Sequence, residues 1–328
     1  MAGINRNGRV LPVRVAGKCG ATVADIVDGM RWAAGLPVAG APVNPNPARI
    51  VNISFGGTAA CGLEYQTAVD ELHARGVVVV AAAGNEHGAV SRPASCAGVV
   101  GVAALNRDGF KTHYSSFGSA LATHGLATVG GDDSQGGAWR NILADGGLVS
   151  LWNDGVQAPE QAGYAALFGT SFAAPLVSGT LSLMLSVNPT LTADQLIAGV
   201  RLTARPHVSS PRIGLCSEAN PGRCICTTAT CGAGILDATQ ALLYAANPAS
   251  YVAPVRQPAV IDNAEVSQAM ALGPDRPANA VPPAPAPPAA KSNGGGAPGL
   301  DWLLLLALAT AALRGTRAMP STDAARRV

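Results

Sequence analysis

The chain has 328 residues, 48% hydrophobic and only 13% charged, with 22 Lys and Arg against 20 Asp and Glu for a net charge of +2. That length holds one large domain plus extensions. Without a basic stripe, so small a charge argues against nucleic acid as the main partner. Abundant Gly, Ala and Val suit an exported protein, although no signal peptide is visible at Met1.

The elements follow in order. Over residues 22–34, Val23, Ile26, Val27, Met30 and Ala33 form one apolar stripe behind a Thr22 cap, and Gly35 ends the helix. A Pro/Asn-rich loop at 37–47 leads to a strand at 49–54, where Asn52 serves backbone groups at the strand end. A helix at 63–75, a strand at 77–83 and a strand at 99–105 follow. Apolar strands alternating with helices predict a parallel sheet covered on both faces. Residues 130–169, with Trp139 and Trp152, read as a long loop-like insert that shapes a cleft or its rim. The apolar positions Leu176, Val177, Leu181, Met184 and Leu185 predict a mostly buried helix beginning at Ser171. Residues 188–192 are a turn and cap, 194–203 a short helix, and a last helix ends near Ala246.

Ser171 has two readings: an N-cap whose hydroxyl accepts a free backbone N–H, or a nucleophile helped by the positive end of the helix. Asn85 likewise is either a turn residue after Gly84 or an amide donor beyond the carboxyl end of a strand, where ligands bind in such sheets.

The run Gly169-Thr170-Ser171-Phe172-Ala173-Ala174-Pro175 resembles the nucleophile motif of the subtilisin-like serine proteases. Residues 77–83 ending in Gly84-Asn85-Glu86 resemble that family's oxyanion strand. Ile50-Val51-Asn52-Ile53-Ser54-Phe55-Gly56-Gly57 resembles its substrate-binding strand, and residues 113–118 a Tyr-Ser-x-Phe/Tyr-Gly segment. The motifs stand in family order over roughly residues 9–246. The resemblance implies an α/β fold with a mostly parallel sheet and helices on both faces. It implies Ser171 as nucleophile, Asn85 as oxyanion donor, and Ser54, Phe55, Gly56, Ala83 and Gly84 as substrate-binding residues. Polypeptides are the implied substrates, and calcium is the one cofactor the family suggests; no metal ligand is assigned.

The sequence also departs from the family. Residues 9–15 (Arg-Val-Leu-Pro-Val-Arg-Val) resemble the strand that follows the family's histidine helix; its Asp-Ser/Thr-Gly and His-Gly-Thr motifs should precede that strand, so both are expected upstream of Met1, with the first strands of the domain. None of the five histidines replaces the base. His73 sits on an amphipathic helix, His113 opens a family segment and His207 lies late in the chain. His124-Gly125 is followed by Leu126-Ala127 and lies on the wrong side of Asn85, and His87 follows the oxyanion loop near the cleft. Ala127-Thr128-Val129-Gly130-Gly131 stands where the family often has Ala-Pro-Gly. Asp132-Asp133 is expected to be a solvated turn, since no calcium-binding loop of the EF-hand kind follows.

Seven cysteines are present. The spacing of Cys216, Cys224, Cys226 and Cys231 does not match paired Cys-x-x-Cys zinc ligands, and in an exported protein disulfides are expected. The expected pairs are Cys216–Cys224, Cys226–Cys231 and Cys19–Cys61, leaving Cys96 for an upstream partner.

The protease domain is expected over residues 1–246. Residues 247–299, rich in Pro, Ala and small polar residues, read as a disordered linker. Residues 300–313 are apolar, too few for an ordinary membrane span, and are followed by Arg314 and Arg317. After the glycines at 294–296 this resembles a bacterial C-terminal sorting signal, implying transient membrane association and a secreted or cell-surface protein. Two functions stay open: a serine endopeptidase whose base and aspartate lie upstream, so that this chain is inactive alone, and a non-catalytic, peptide-binding pseudoprotease.

Overall fold

The computed structural model describes residues 3–133, 136–156 and 158–276. The expected end of the linker, the glycines at 294–296 and the apolar segment at 300–313 lie outside the described residues. In chain order the elements are α1 (Val23–Ala33), β1 (Ile50–Ile53), α2 (Leu63–Ala74), β2 (Val78–Ala82), β3 (Val100–Leu105), α3 (Ala120–His124), β4 (Leu126–Val129), β5 (Leu148–Asn153), β6 (Ala162–Leu167), α4 (Thr170–Val187), α5 (Ala193–Leu202), α6 (Thr228–Cys231), α7 (Ala238–Ala246) and α8 (Ala264–Ala271).

The four strands β1 to β4 form a parallel sheet in sequence order. Because side chains alternate across a strand, the run at 77–83 serves two cores. Val77, Val79, Ala81 and Ala83 join one, Val78, Val80 and Ala82 the other. The first core lies under α1, α2 and α3, and the second is filled by α4, α5 and α7. Within α4, Ala173, Ala174, Val177, Leu181 and Met184 are completely buried. Each fully buried Val, Leu or Met contributes roughly 1.5–3 kcal/mol, so α4 is held mainly by this stripe. The expected caps form: Thr22 Oγ1 accepts from the Asp25 N–H at 3.1 Å, and Thr192 with Gln195 makes a reciprocal capping box.

Several expectations are corrected. Residues 9–15 are not a strand, and Val10 is 90% exposed. A strand exists only by pairing with a neighbour; among the described residues no strand pairs with the outer edge of β1, and Val15 instead rests on Gly29 of α1. The insert at 130–169 contains the antiparallel ribbon β5–β6, whose register runs from Leu148 opposite Leu167 to Asn153 opposite Ala162. That ribbon delivers the chain directly into α4.

Residues 247–276 are not a disordered linker. The Ser209 N–H donates to Ala259 O and the Ile261 N–H to Ser209 O, α8 buries Val266 and Ala269, and Asp275 is wholly enclosed. The composition misled because a few anchors, and not average hydrophobicity, hold this stretch.

The cysteines pair as Cys216–Cys224 and Cys226–Cys231, as expected, but the third disulfide is Cys61–Cys96 and Cys19 is free and exposed. Cys96 therefore uses a partner in this chain. Cys61 and Cys96 lie 35 residues apart but 5.0 Å apart between Cα atoms, a proximity created when the loops flanking α2 and the β2–β3 connection meet. Non-reducing titration of the denatured chain with a thiol reagent should find one reactive cysteine, and Cys19→Ser should abolish it. A second titrating thiol would show that the pairing is wrong.

Candidate active site

The carboxyl end of β2 and the start of α4 meet. Thr170, the first residue of α4, donates its N–H to Asn85 Oδ1 at 3.0 Å and its hydroxyl to the same oxygen at 2.8 Å. Thr170 Oγ1 in turn accepts from the Gly84 N–H at 3.2 Å. With its oxygen so engaged, the Asn85 carboxamide must turn its NH2 outward. Gly169 has φ 141°, a backbone region open chiefly to glycine. A Cβ there would sit 3.5 Å from Asn85 Nδ2 and 3.7 Å from the Ser171 N atom, so both donors border one small space that a side chain would fill.

Ser171 itself is half-buried. Its Oγ donates to Ser54 O at 2.7 Å, and Ser54 Oγ donates to Ser171 O at 2.8 Å. The second bond exists because Pro175 lies four residues on. Its missing N–H leaves the Ser171 carbonyl without the usual helical donor. A proline one turn into the helix thereby ties the serine to the end of β1. Gly84 has φ 111°, and a Cβ on it would run into Ser91, Glu86 and Ser116.

The family model for Peptidase S8, the subtilase family, matches residues 1–230. The chain belongs to the subtilase family. It is 38% identical over 251 residues to an extracellular protease of Xanthomonas campestris pv. campestris, covering 75% of this chain and 37% of that one. It is also 38% identical over 202 residues to an extracellular basic protease of Dichelobacter nodosus, covering 60% and 30% respectively. The chain thus spans about a third of the length of these curated relatives. Among solved structures, a protease from Pseudoalteromonas arctica superposes with a TM-score of 0.63 at 36% identity, over 74% of this chain and 65% of that one.

The other subtilase-derived positions are distributed as follows. Phe55 is 41% exposed beside Ser54, and Gly56 lies so close to Arg92 O that a Cβ would overlap it. Gly57 and Arg92 exchange backbone bonds at 3.1 and 3.0 Å, joining the end of β1 to the loop after Asn85. Ala83 is corrected: it is fully buried, donating to Val102 O and accepting from the Ser91 N–H, so it backs the cleft and does not line it.

No histidine among the described residues bonds to Ser171. His73 pairs with Asp194 at 3.0 Å, His124 Nδ1 accepts from the Gly98 N–H, and His207 bonds Gly232 O. His87, at φ 46°, donates its backbone N–H to Tyr114 O. Burial, with Lys111 nearby, holds its pKa below the ordinary histidine value, and its Nδ1 is buried without a partner.

Sequence reasoning missed a buried polar layer behind the serine. The Tyr114 hydroxyl bonds Gly130 O at 3.0 Å and Gly131 O at 2.5 Å, and it accepts the Gly169 N–H at 2.9 Å. Burial pushes this phenol well above its ordinary pKa, so it remains a donor. Asp132 is no solvated turn: it is fully buried between Arg223 (Nε–Oδ2 2.7 Å) and His113 (Nδ1–Oδ1 2.6 Å). Asp145 accepts from the N–H groups of Asp132, Gly147 and Arg107. Carboxylates so engaged by N–H donors do not fit a calcium ion here, because a cation needs those same lone pairs. The buried sulfurs of Cys216, Cys226 and Cys231 lie close together but are disulfide-bonded, so they offer no thiolates to a metal. The only sequence hints were a charge between two cysteines at Arg223 and a paired acid at Asp132.

Lys111 completes this layer. Its Nζ is enclosed and donates to Thr112 O and Ser115 O, both at 2.8 Å. A neutral amine has two N–H donors, which match these two carbonyls. Burial lowers its pKa from 10.5 to about 7, against the opposing pull of Asp132 and Asp275. Between those values the unfolded chain holds a proton that the folded chain lacks, so stability rises with pH, by up to about 1.4 kcal/mol per unit. Urea denaturation from pH 7.5 to 9.5 should show this rise in the wild type, and Lys111→Met should remove it. An unchanged slope in the variant would place the lysine's charge elsewhere.

Proposed function

We propose that the chain carries the nucleophile and oxyanion half of a secreted subtilisin-like serine endopeptidase acting on polypeptides. The reading is carried by one arrangement: Asn85 is pinned through its oxygen to Thr170, leaving Asn85 Nδ2 and the Ser171 N–H beside the same space over Gly169. Two N–H donors around one point suit an oxygen that gains negative charge as a carbonyl becomes tetrahedral. Ser171 Oγ, at the second position of α4, is placed at the positive end of the helix and beside that space.

In this mechanism Ser171 Oγ attacks the scissile carbonyl, its proton passes to an imidazole, and the oxygen of the tetrahedral adduct is held by Asn85 and the Ser171 N–H. Collapse, with the imidazolium returning that proton to the leaving amine, leaves an acyl-serine, which water activated by the same imidazole then hydrolyses. Ser54 and Phe55, at the end of β1, flank the substrate chain, while the glycines at 56 and 57 permit close approach of its backbone. The base and its aspartate belong to residues other than those described. In this chain Ser171 Oγ donates a hydrogen bond to the Ser54 carbonyl, which cannot take its proton. Extracellular relatives and three disulfides support export.

The same bond favours the second reading, a non-catalytic groove that binds peptides. A chimera separates the two, after a control whose outcome both readings share. The purified chain alone should show no casein hydrolysis above buffer. A chimera with an Asp-Ser/Thr-Gly and His-Gly-Thr segment from a relative placed ahead of residue 1 should hydrolyse casein and lose this on Ser171→Ala. Asn85→Ala in the active chimera should lower kcat by about 10²–10³-fold, equivalent to roughly 2.7–4 kcal/mol. A chimera that folds and binds peptide without cutting it would support the groove; cleavage that survives Ser171→Ala would remove the proposed nucleophile.

A further inference from the structure

The segment after α7 returns to the domain and ends in a buried acid. Asp275 Oδ1 accepts from the Trp139 N–H at 3.0 Å, and Oδ2 accepts from the Arg223 N–H at 3.0 Å and from Arg223 Nη1 at 3.2 Å. Trp139 Nε1 donates to Gly273 O at 2.7 Å, and Arg107 reaches Glu265 of α8 at 2.8 Å. Gly137 and Gly222 have no room for a Cβ because Asp275 occupies that space. This is a seat with glycine walls and a guanidinium floor.

The same guanidinium also holds the loop that leads back to the serine. Arg223 grips both oxygens of Asp132, at 2.7 and 3.2 Å, and also binds the carbonyls of Asp133, Gly136 and Arg140. Asp132 directly follows Gly130 and Gly131, whose carbonyls hold Tyr114 and, with it, the Gly169 N–H. Arg223, Asp132 and Asp275 are all completely buried. A guanidinium there needs its carboxylates, and removing one leaves a buried charge short of a partner.

We propose that residues 264–276 are a clasp belonging to the catalytic unit, in which Asp275 is a positioning residue that sets the serine loop through Arg223 and Asp132. The catalytic consequence rests on Ser171 as nucleophile; the structural coupling does not. Loss of Asp275 lets Arg223 turn toward its remaining acceptors. This loosens Asp132 and releases the Gly130–Gly131 carbonyls from Tyr114, and Gly169 then loses the backbone geometry that opens the space beside Ser171.

Amide hydrogen exchange on the full chain tests this without any activity. In Asp275→Ala, protection at Asp132 and Gly169 should fall by about tenfold or more, while the Ala83 N–H, bonded to Val102 O across the sheet, keeps its wild-type rate. In an Arg223→Met background the same substitution should add no further loss at Gly169, because the connecting side chain is gone. If Asp275→Ala does not fold, Asp275→Asn, which preserves shape but not charge, is measured instead, with the same expectation. Loss of protection confined to Trp139, Arg223 and α8, with Gly169 unchanged, would make Asp275 a local anchor and overturn the proposal. That result would leave the reading of Ser171 intact, since the casein experiment decides it separately.

Discussion

A single carboxamide oxygen organises the site. Asn85 Oδ1 accepts two bonds from Thr170, and this fixes which way the amide points. Were the amide reversed, its NH2 would face the Thr170 N–H, donor against donor, and the space over Gly169 would be bordered by an acceptor. The orientation is set by the fold, which is the condition that the proposed role of Asn85 as an oxyanion donor requires. Every other feature near Ser171 protects that geometry: Gly84 lets the chain turn, Gly169 leaves the space open, and Pro175 frees the carbonyl that Ser54 binds.

The serine loop is held from three sides by different means. The end of β1 reaches it through the reciprocal Ser54–Ser171 bonds, and the end of β2 through Asn85. From behind, Tyr114 and the Gly130 carbonyl hold the Gly169 N–H. The first two are extensions of sheet strands, whose positions follow from apolar packing against α4. The third depends on a buried polar layer with little apolar surface of its own, and so relies on charge compensation between Arg223 and its two carboxylates.

That layer explains why the region after α7 is ordered. Its composition resembles a linker, yet it supplies Val266 and Ala269 to the core and Asp275 to the only fully buried guanidinium among the described residues. The second carboxylate, Asp275, takes the Arg223 N–H and Nη1, which Asp132 leaves free, so the buried guanidinium meets a carboxylate on two sides. The Cys216–Cys224 disulfide fastens the loop on which Arg223 is carried, so a covalent link and an ion pair secure the same few residues.

Local pattern was enough for β1, β2 and β3 and for α1, α2, α4, α5 and α7, but not for β4 at the sheet's far edge. A continuous apolar run bounded by Gly84 and Asn85 reads as a buried strand, and the spacing of Leu176, Val177, Leu181, Met184 and Leu185 reads as a core helix, because each signal lies within a dozen residues. Ser171 and Asn85 were legible as a pair because their short motifs resemble those of the family the chain belongs to. What no local pattern determined is who meets whom across long separations. Cys61 chose Cys96 over Cys19, Asp132 met Arg223 instead of water, and residues 9–15 stayed unpaired although they resemble a strand of the family. Partners for sulfur, charge and strand edges are set by distances that exist only after the chain has folded, and so tertiary structure alone decided them.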